Sequence, residues 1–108
     1  MPDKELPNAV DRFRKRHPDV WKAFNQLGDH CHQAGPLDEK TRRLVKLALS
    51  IGAGLEGATH SAVRAARKSG ITEDEVDHVA VLAISTLGLP AATRAMTWIG
   101  DTAAGVVE

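Results

Sequence analysis

Residues 44–70 read LVKLALSIGAGLEGATHSAVRAARKSG, and this stretch decides the fold. Leu44, Leu47, Ala48, Ile51 and Leu55 recur at helical spacing, with Val45 and Leu49 widening the stripe. The spacing predicts a helix covered on more than one side. Gly52, Ala53 and Gly54 then weaken or bend it, because an interior glycine costs about 1 kcal/mol against alanine. A second helix is expected over 56–69, rich in small residues (Ala58, Ser61, Ala62, Ala65, Ala66) that let helices approach closely. Gly70 is placed to end it as the residue past the last turn.

Upstream, Asp38 is a good N-cap, and Glu39 is favourable at the positive end of the helix. Gly35-Pro36 separates this helix from an earlier one over 19–33. There Val20, Phe24, Leu27 and Cys31 recur at helical spacing beside Trp21, which predicts an amphipathic helix with an aromatic core face. Pro18 suits its first turn, and His17 before it is pushed out of the helical region. Asn8 can cap a short helix over 9–16, where Arg12, Arg14, Lys15 and Arg16 cluster. That cluster reads either as a solvated face or as a patch for an anion or acidic partner. Residues 1–7, with two prolines, are expected to form a loose arm.

Downstream, Thr72 with Glu75 fits a capping box. Val76, Val79, Ala80, Ala83 and Leu87 form one face of the next helix, while Val81, Leu82 and Ile84 fill the others. A helix apolar nearly all round is a buried helix, here expected to be covered in part by another subunit. Gly88-Leu89-Pro90 breaks it. A last helix over 90–101 carries Met96 and Trp98, and 102–108 should fray. No apolar–polar alternation and no Asn-Gly or Asp-Gly turn argues for a strand. The expectation is an all-α single domain over 1–108, a five- to six-helix bundle that assembles into oligomers.

Composition narrows the function classes. With 108 residues the chain supports one modest core. Lys plus Arg and Asp plus Glu both number 14, so the formal charge is zero, which argues against a nucleic-acid partner. Neutrality also mildly favours self-association. The aromatics Phe13, Trp21, Phe24 and Trp98 supply no base-stacking platform. Cys31 is the single cysteine, so neither an internal disulfide nor a Cys-x-x-Cys redox pair exists. No apolar run reaches membrane-spanning length and the first residues are polar, so the expected location is cytoplasmic, with no membrane partner.

Glu56 and His60 are four apart and share one helix face. Glu56 sits where the helix dipole favours a carboxylate; the same dipole disfavours imidazolium, while the carboxylate favours it. A His balanced this way beside a Glu is a candidate acid/base pair, and the flanking glycines admit a ligand to the backbone. The alternatives are an ordinary surface pair, or half of a metal site completed by His30, Cys31, His32 or His78. None of these has diagnostic ligand spacing, and the adjacent His30, Cys31 and His32 diverge by about 100° each on a helix. No metal or other cofactor is therefore expected.

From about residue 36 to 101 the chain resembles the carboxymuconolactone decarboxylase family, which includes the alkylhydroperoxidase D-like proteins. The resemblance rests on LDEKTRRLVKLALSIGAG, a short polar segment, and HSAVRAARKSGITEDEVDHVAVLAISTLGLPAA. It implies an all-α bundle assembling as a homotrimer or homohexamer, with sites near subunit interfaces around Gly54 to Ala62. Peroxidase members carry Cys-x-x-Cys and a downstream His there. Those positions fall here on Leu55, Ala58 and Ala62, and a preceding acidic position falls on Arg43. Thiol peroxidase activity is therefore not expected. Similar members without the cysteine pair carry the Glu-Gly-Ala-x-His stretch seen here as Glu56 to His60.

Two functions follow as expectations. In the first, the protein is a small-molecule lyase or related acid/base enzyme. Glu56 and His60 are catalytic at an intersubunit pocket, and Leu55, Thr59 and Trp98 line the ligand. In the second, it is a non-catalytic oligomeric scaffold or a ligand- or metal-binding module.

Overall fold

The computed structural model describes residues 8–104, all of whose regular elements are α-helices. They are α1 (Asn8–Arg16), α2 (Pro18–Gln33), α3 (Glu39–Gly52), α4 (Glu56–Lys68), α5 (Glu73–Leu87) and α6 (Leu89–Ala104). The loose arm expected over 1–7 and the tail beyond residue 104 lie outside the described residues. The chain divides into two compact units at Pro36. No helix among the described residues is long and apolar enough to cross a membrane.

The first unit holds α1 and α2. His17 is non-helical between them (φ −133°, ψ 65°), and Pro18 opens α2. Asp11 pairs with Arg14 and Lys15, which neutralises part of the basic cluster within its own helix. Phe13 and Trp21 meet edge to face, with ring centroids 6.0 Å apart. The aromatic core face expected of α2 is not a buried one. No residue of α2 is buried, and Phe24 is 60% exposed. Periodicity identifies the residues that share a face, not what covers them.

The second unit holds α3 to α6. Asp38 caps α3, its Oδ1 accepting from the Thr41 N–H at 2.8 Å. Thr72 and Glu75 form the expected capping box on α5. Two helices end in the same way. Gly54 (φ +70°) follows α3, and Leu55 N–H donates back to Ser50 O at 3.0 Å while Gly54 N–H donates to Ile51 O at 3.0 Å. Gly70 (φ +82°) follows α4, with Ile71 N–H donating to Ala66 O and Gly70 N–H to Arg67 O. Both are Schellman ends, in which a left-handed residue lets its own amide and the next one satisfy the last free carbonyls. So α3 stops at Gly52 rather than bending through the glycines.

Leu47 and Ile51 from α3, Val63 and Ala66 from α4, Val76, Ala80 and Ala83 from α5 and Ala92, Ala95 and Ile99 from α6 form the core, with Ile71 from the α4–α5 turn. Its many alanines bring the helix backbones together. Other apolar residues face outward. Leu49 on α3, Leu82 and Leu87 on α5 and Leu89 on α6 are all exposed. A groove of about 560 Å³ lies between α3 and α5, walled by Leu44, Val45, Ala48, Val79, Leu82 and Leu87.

Candidate functional site

The Schellman turn at Gly54 sets the direction in which α4 begins. Leu55 occupies its N-cap without a side-chain cap, and Glu56 follows in the first turn. The carboxylate therefore sits by the positive helix end, where about half an elementary charge favours it. One turn later His60 points inward and is 4% exposed. The two side chains meet: His60 Nε2 is 3.2 Å from Glu56 Oε2. The Glu56 side chain keeps 56% of its surface open. The pair thus has a buried member and a solvent-side member.

The other ring nitrogen is also engaged. His60 Nδ1 lies 2.5 Å from Thr102 Oγ1 on α6, and Thr102 is itself buried. The Thr102 hydroxyl donates in turn to Trp98 O at 2.7 Å. Sequence reasoning placed Thr102 in a fraying tail, yet α6 runs through Ala104.

A second unforeseen residue is Arg94. Its guanidinium carbon lies 5.0 Å from the centroid of the Trp98 ring, a cation–π distance. The same guanidinium rests on Gly54, where an added Cβ would meet Arg94 Nη2 at 3.1 Å. Arg94, Trp98 and Thr102 are spaced by four and so lie along one face of α6. Arg94 meets Gly54 at one end of that face and Thr102 meets His60 at the other, so α4 and α6 run side by side in the same sense. The signal that could have found both residues is this recurrence of Arg, Trp and Thr every fourth position.

The remaining expected site residues divide. Leu55 is exposed and Trp98 half-buried, both within this neighbourhood. Thr59 is completely buried, and its hydroxyl donates to Leu55 O at 2.8 Å, so within this chain it supports the turn from inside and offers no surface to a ligand. Ala58 is exposed and Ala62 packs against the core. Arg43 pairs with Glu39 at 2.7 Å. Cys31 is exposed and belongs to the first unit. Among the described residues, no three His, Cys, Asp or Glu side chains gather as a metal site. The α3–α5 groove, with His78 and Glu75 at its edge, includes neither Glu56 nor His60.

Comparison with known proteins agrees with this architecture. The chain is 30% identical over 84 residues, 77% of its length, to the uncharacterized protein MJ0742 of Methanocaldococcus jannaschii, of which the match covers 81%. Its fold is similar to the crystal structure of apo-lpg0406, a carboxymuconolactone decarboxylase family protein from Legionella pneumophila. That likeness has a TM-score of 0.72 at 24% identity and covers 87% of each chain. The model of the carboxymuconolactone decarboxylase family matches residues 18–101, which adds α2 to the stretch whose motifs carry the resemblance. The chain belongs to the carboxymuconolactone decarboxylase family.

Proposed function

We propose that this protein is a small-molecule lyase or closely related acid/base enzyme in which Glu56 and His60 act as one proton-carrying pair. The observation that carries the reading is the placement of the pair. A buried imidazole is fastened at one nitrogen to Thr102 and joined at the other to a carboxylate open to solvent. Such an imidazole has a fixed orientation, so a substrate meets Glu56 first and His60 acts through it. Leu55 and Trp98 supply apolar walls. Arg94 forms no ion pair among the described residues and is available to an anionic group on the substrate. In a decarboxylation the bond to the leaving carboxylate breaks, carbon dioxide departs, and the electron pair left on carbon takes up a proton. Glu56 stands to deliver that proton. With one cysteine, the chain has no thiol pair for a peroxidase cycle.

The outward Leu49, Leu82, Leu87 and Leu89 support self-association. In this reading the protein is a cytoplasmic homotrimer or homohexamer in which a neighbouring copy closes the pocket over Glu56. A second reading, a non-catalytic ligand-binding scaffold, is favoured by one observation: the sizeable α3–α5 groove stands apart from the pair. Turnover of the carboxymuconolactone that names the family separates the two, with native mass spectrometry reporting the subunit count. Loss of a general acid costs about 10²- to 10⁴-fold, so Glu56→Gln should fall at least 100-fold and His60→Asn comparably. Turnover unchanged in both variants removes the pair from the mechanism.

A further inference from the structure

Hydrogen-bond lengths around His60 bear on where its hydrogens are. Thr102 Oγ1 is 2.7 Å from Trp98 O and 2.5 Å from His60 Nδ1. A carbonyl oxygen carries no hydrogen, and two oxygens approach this closely only with a hydrogen between them. The Thr102 hydroxyl has a single hydrogen, and it lies on the Trp98 side. Thr102 can then only accept from His60, so Nδ1 must carry a hydrogen. On the other side, Nε2 faces Glu56 Oε2 at 3.2 Å. Two acceptors meet there unless a further proton lies between them.

We propose that Thr102 holds His60 with its hydrogen on Nδ1, so that the Glu56–His60 pair carries one additional, shared proton at rest. An imidazole beside a carboxylate ordinarily places its one hydrogen on the nitrogen facing that carboxylate, which leaves the pair at charge −1. With Nδ1 already committed to Thr102, the shared proton brings the pair to charge zero. It also puts the transferable hydrogen at the solvent-side end. The meaning of this for catalysis rests on the acid/base reading above: the pair enters a reaction as an acid. Transfer of the shared proton to substrate leaves a neutral imidazole with Nδ1–H, a Glu56 carboxylate and a pair charge of −1. Thr102 touches no substrate in this scheme and is a positioning residue. Other charged residues on the same two helices are Arg64, one turn beyond His60, Arg67 and Lys68 at the far end of α4, and Arg94 and Asp101 on α6.

The test is a long-range ¹H–¹⁵N correlation spectrum of the full chain with labelled histidine at pH 7 and no substrate. His60 is assigned by the signals that vanish in His60→Asn. Wild type is expected to show Nδ1 bearing hydrogen. Thr102→Val should move that hydrogen to Nε2 and leave Nδ1 with the shift of a bare nitrogen, while Thr102→Ser, which keeps the hydroxyl, should match wild type. A bare Nδ1 in wild type overturns the proposal, and so does a wild-type Nε2 with the shift of a fully bare nitrogen, which would leave no shared proton, or a Thr102→Val spectrum identical to wild type. If Thr102→Val does not fold, wild type and Thr102→Ser decide. Because no turnover is read, an inert wild type or a fully active Glu56→Gln counts against the catalytic reading alone.

Discussion

Alanine at Gly54 should destabilise the protein, while alanine at Gly52, two residues earlier, should not. Gly54 has φ +70°. There a Cβ approaches the following carbonyl oxygen, at a cost of about 1–2 kcal/mol. The surroundings add little. The nearest atom to that Cβ is Arg94 Nη2 at 3.1 Å, the tip of a flexible side chain that can retreat a few tenths of an ångström. The backbone cannot relax toward negative φ without losing the two Schellman bonds, from Leu55 to Ser50 and from Gly54 to Ile51. Gly52 is the last residue of α3, and a Cβ there meets nothing within 4 Å. Alanine at that position restricts the unfolded chain and should be neutral or stabilising by up to about 1 kcal/mol. For a domain of this size 1 kcal/mol moves Tm by roughly 4–8 °C. Thermal unfolding followed by circular dichroism, at one fixed protein concentration, should therefore show Gly54→Ala melting several degrees below wild type and Gly52→Ala at or above it. A Gly54→Ala protein that melts no lower than wild type, or equal responses at both glycines, would refute the turn-based account.

Thr72→Ala removes the hydroxyl half of the α5 capping box, which accepts from Glu75 N–H, and should cost about 1 kcal/mol, read as a lowered urea midpoint that Thr72→Ser restores. Acid should also destabilise the fold. The Arg67 guanidinium beside Glu73, the Lys40 ammonium beside Glu75, and hydrogen bonds from Thr41 to Asp38 hold these three carboxyls below their usual ranges. A carboxyl with a lowered folded pKa stabilises the fold above its unfolded value, near 4, and that contribution is lost as pH falls through the folded value. Tm should accordingly drop as pH is taken below about 4, and less steeply in Glu75→Gln; a Tm that rises on acidification would contradict the sign.

What the sequence disclosed was local. A carboxylate or hydroxyl oxygen at a fixed offset from an amide suffices to place a cap, so Asp38, Thr72 and Glu75 were legible without a fold. Gly70 was legible as a helix end for the same reason. Glu56 and His60 were legible as neighbours because four residues along a helix is one turn. Their inequality was not: burial of His60 and exposure of Glu56 depend on α6, which packs from elsewhere in the chain. Thr102 is hidden from sequence reading because it is a polar residue continuing the period of Ala92, Ala95 and Ile99, and its anchor is a side chain 42 residues earlier. For Thr59, a hydroxyl beside a candidate His suggests a ligand contact; what the sequence does not display is its burial and the carbonyl one turn back that takes its hydrogen. The outward Val20, Phe24 and Leu27 show the limit of periodicity from the other side, since a stripe names a face and leaves its cover open.

The tie between His60 and Thr102 also bears on the order of folding. It closes a 42-residue separation, and contacts at such separations carry a loop-closure cost that local helix formation does not. Helices α3, α4 and α5 can each form with their caps and Schellman ends complete while this bond is still absent. A partly folded chain would then look almost fully helical by circular dichroism and yet hold an unfastened imidazole. The His60 nitrogen signals would mark the moment at which α6 has docked on α4, a sharper probe of the fold's completion than helix content.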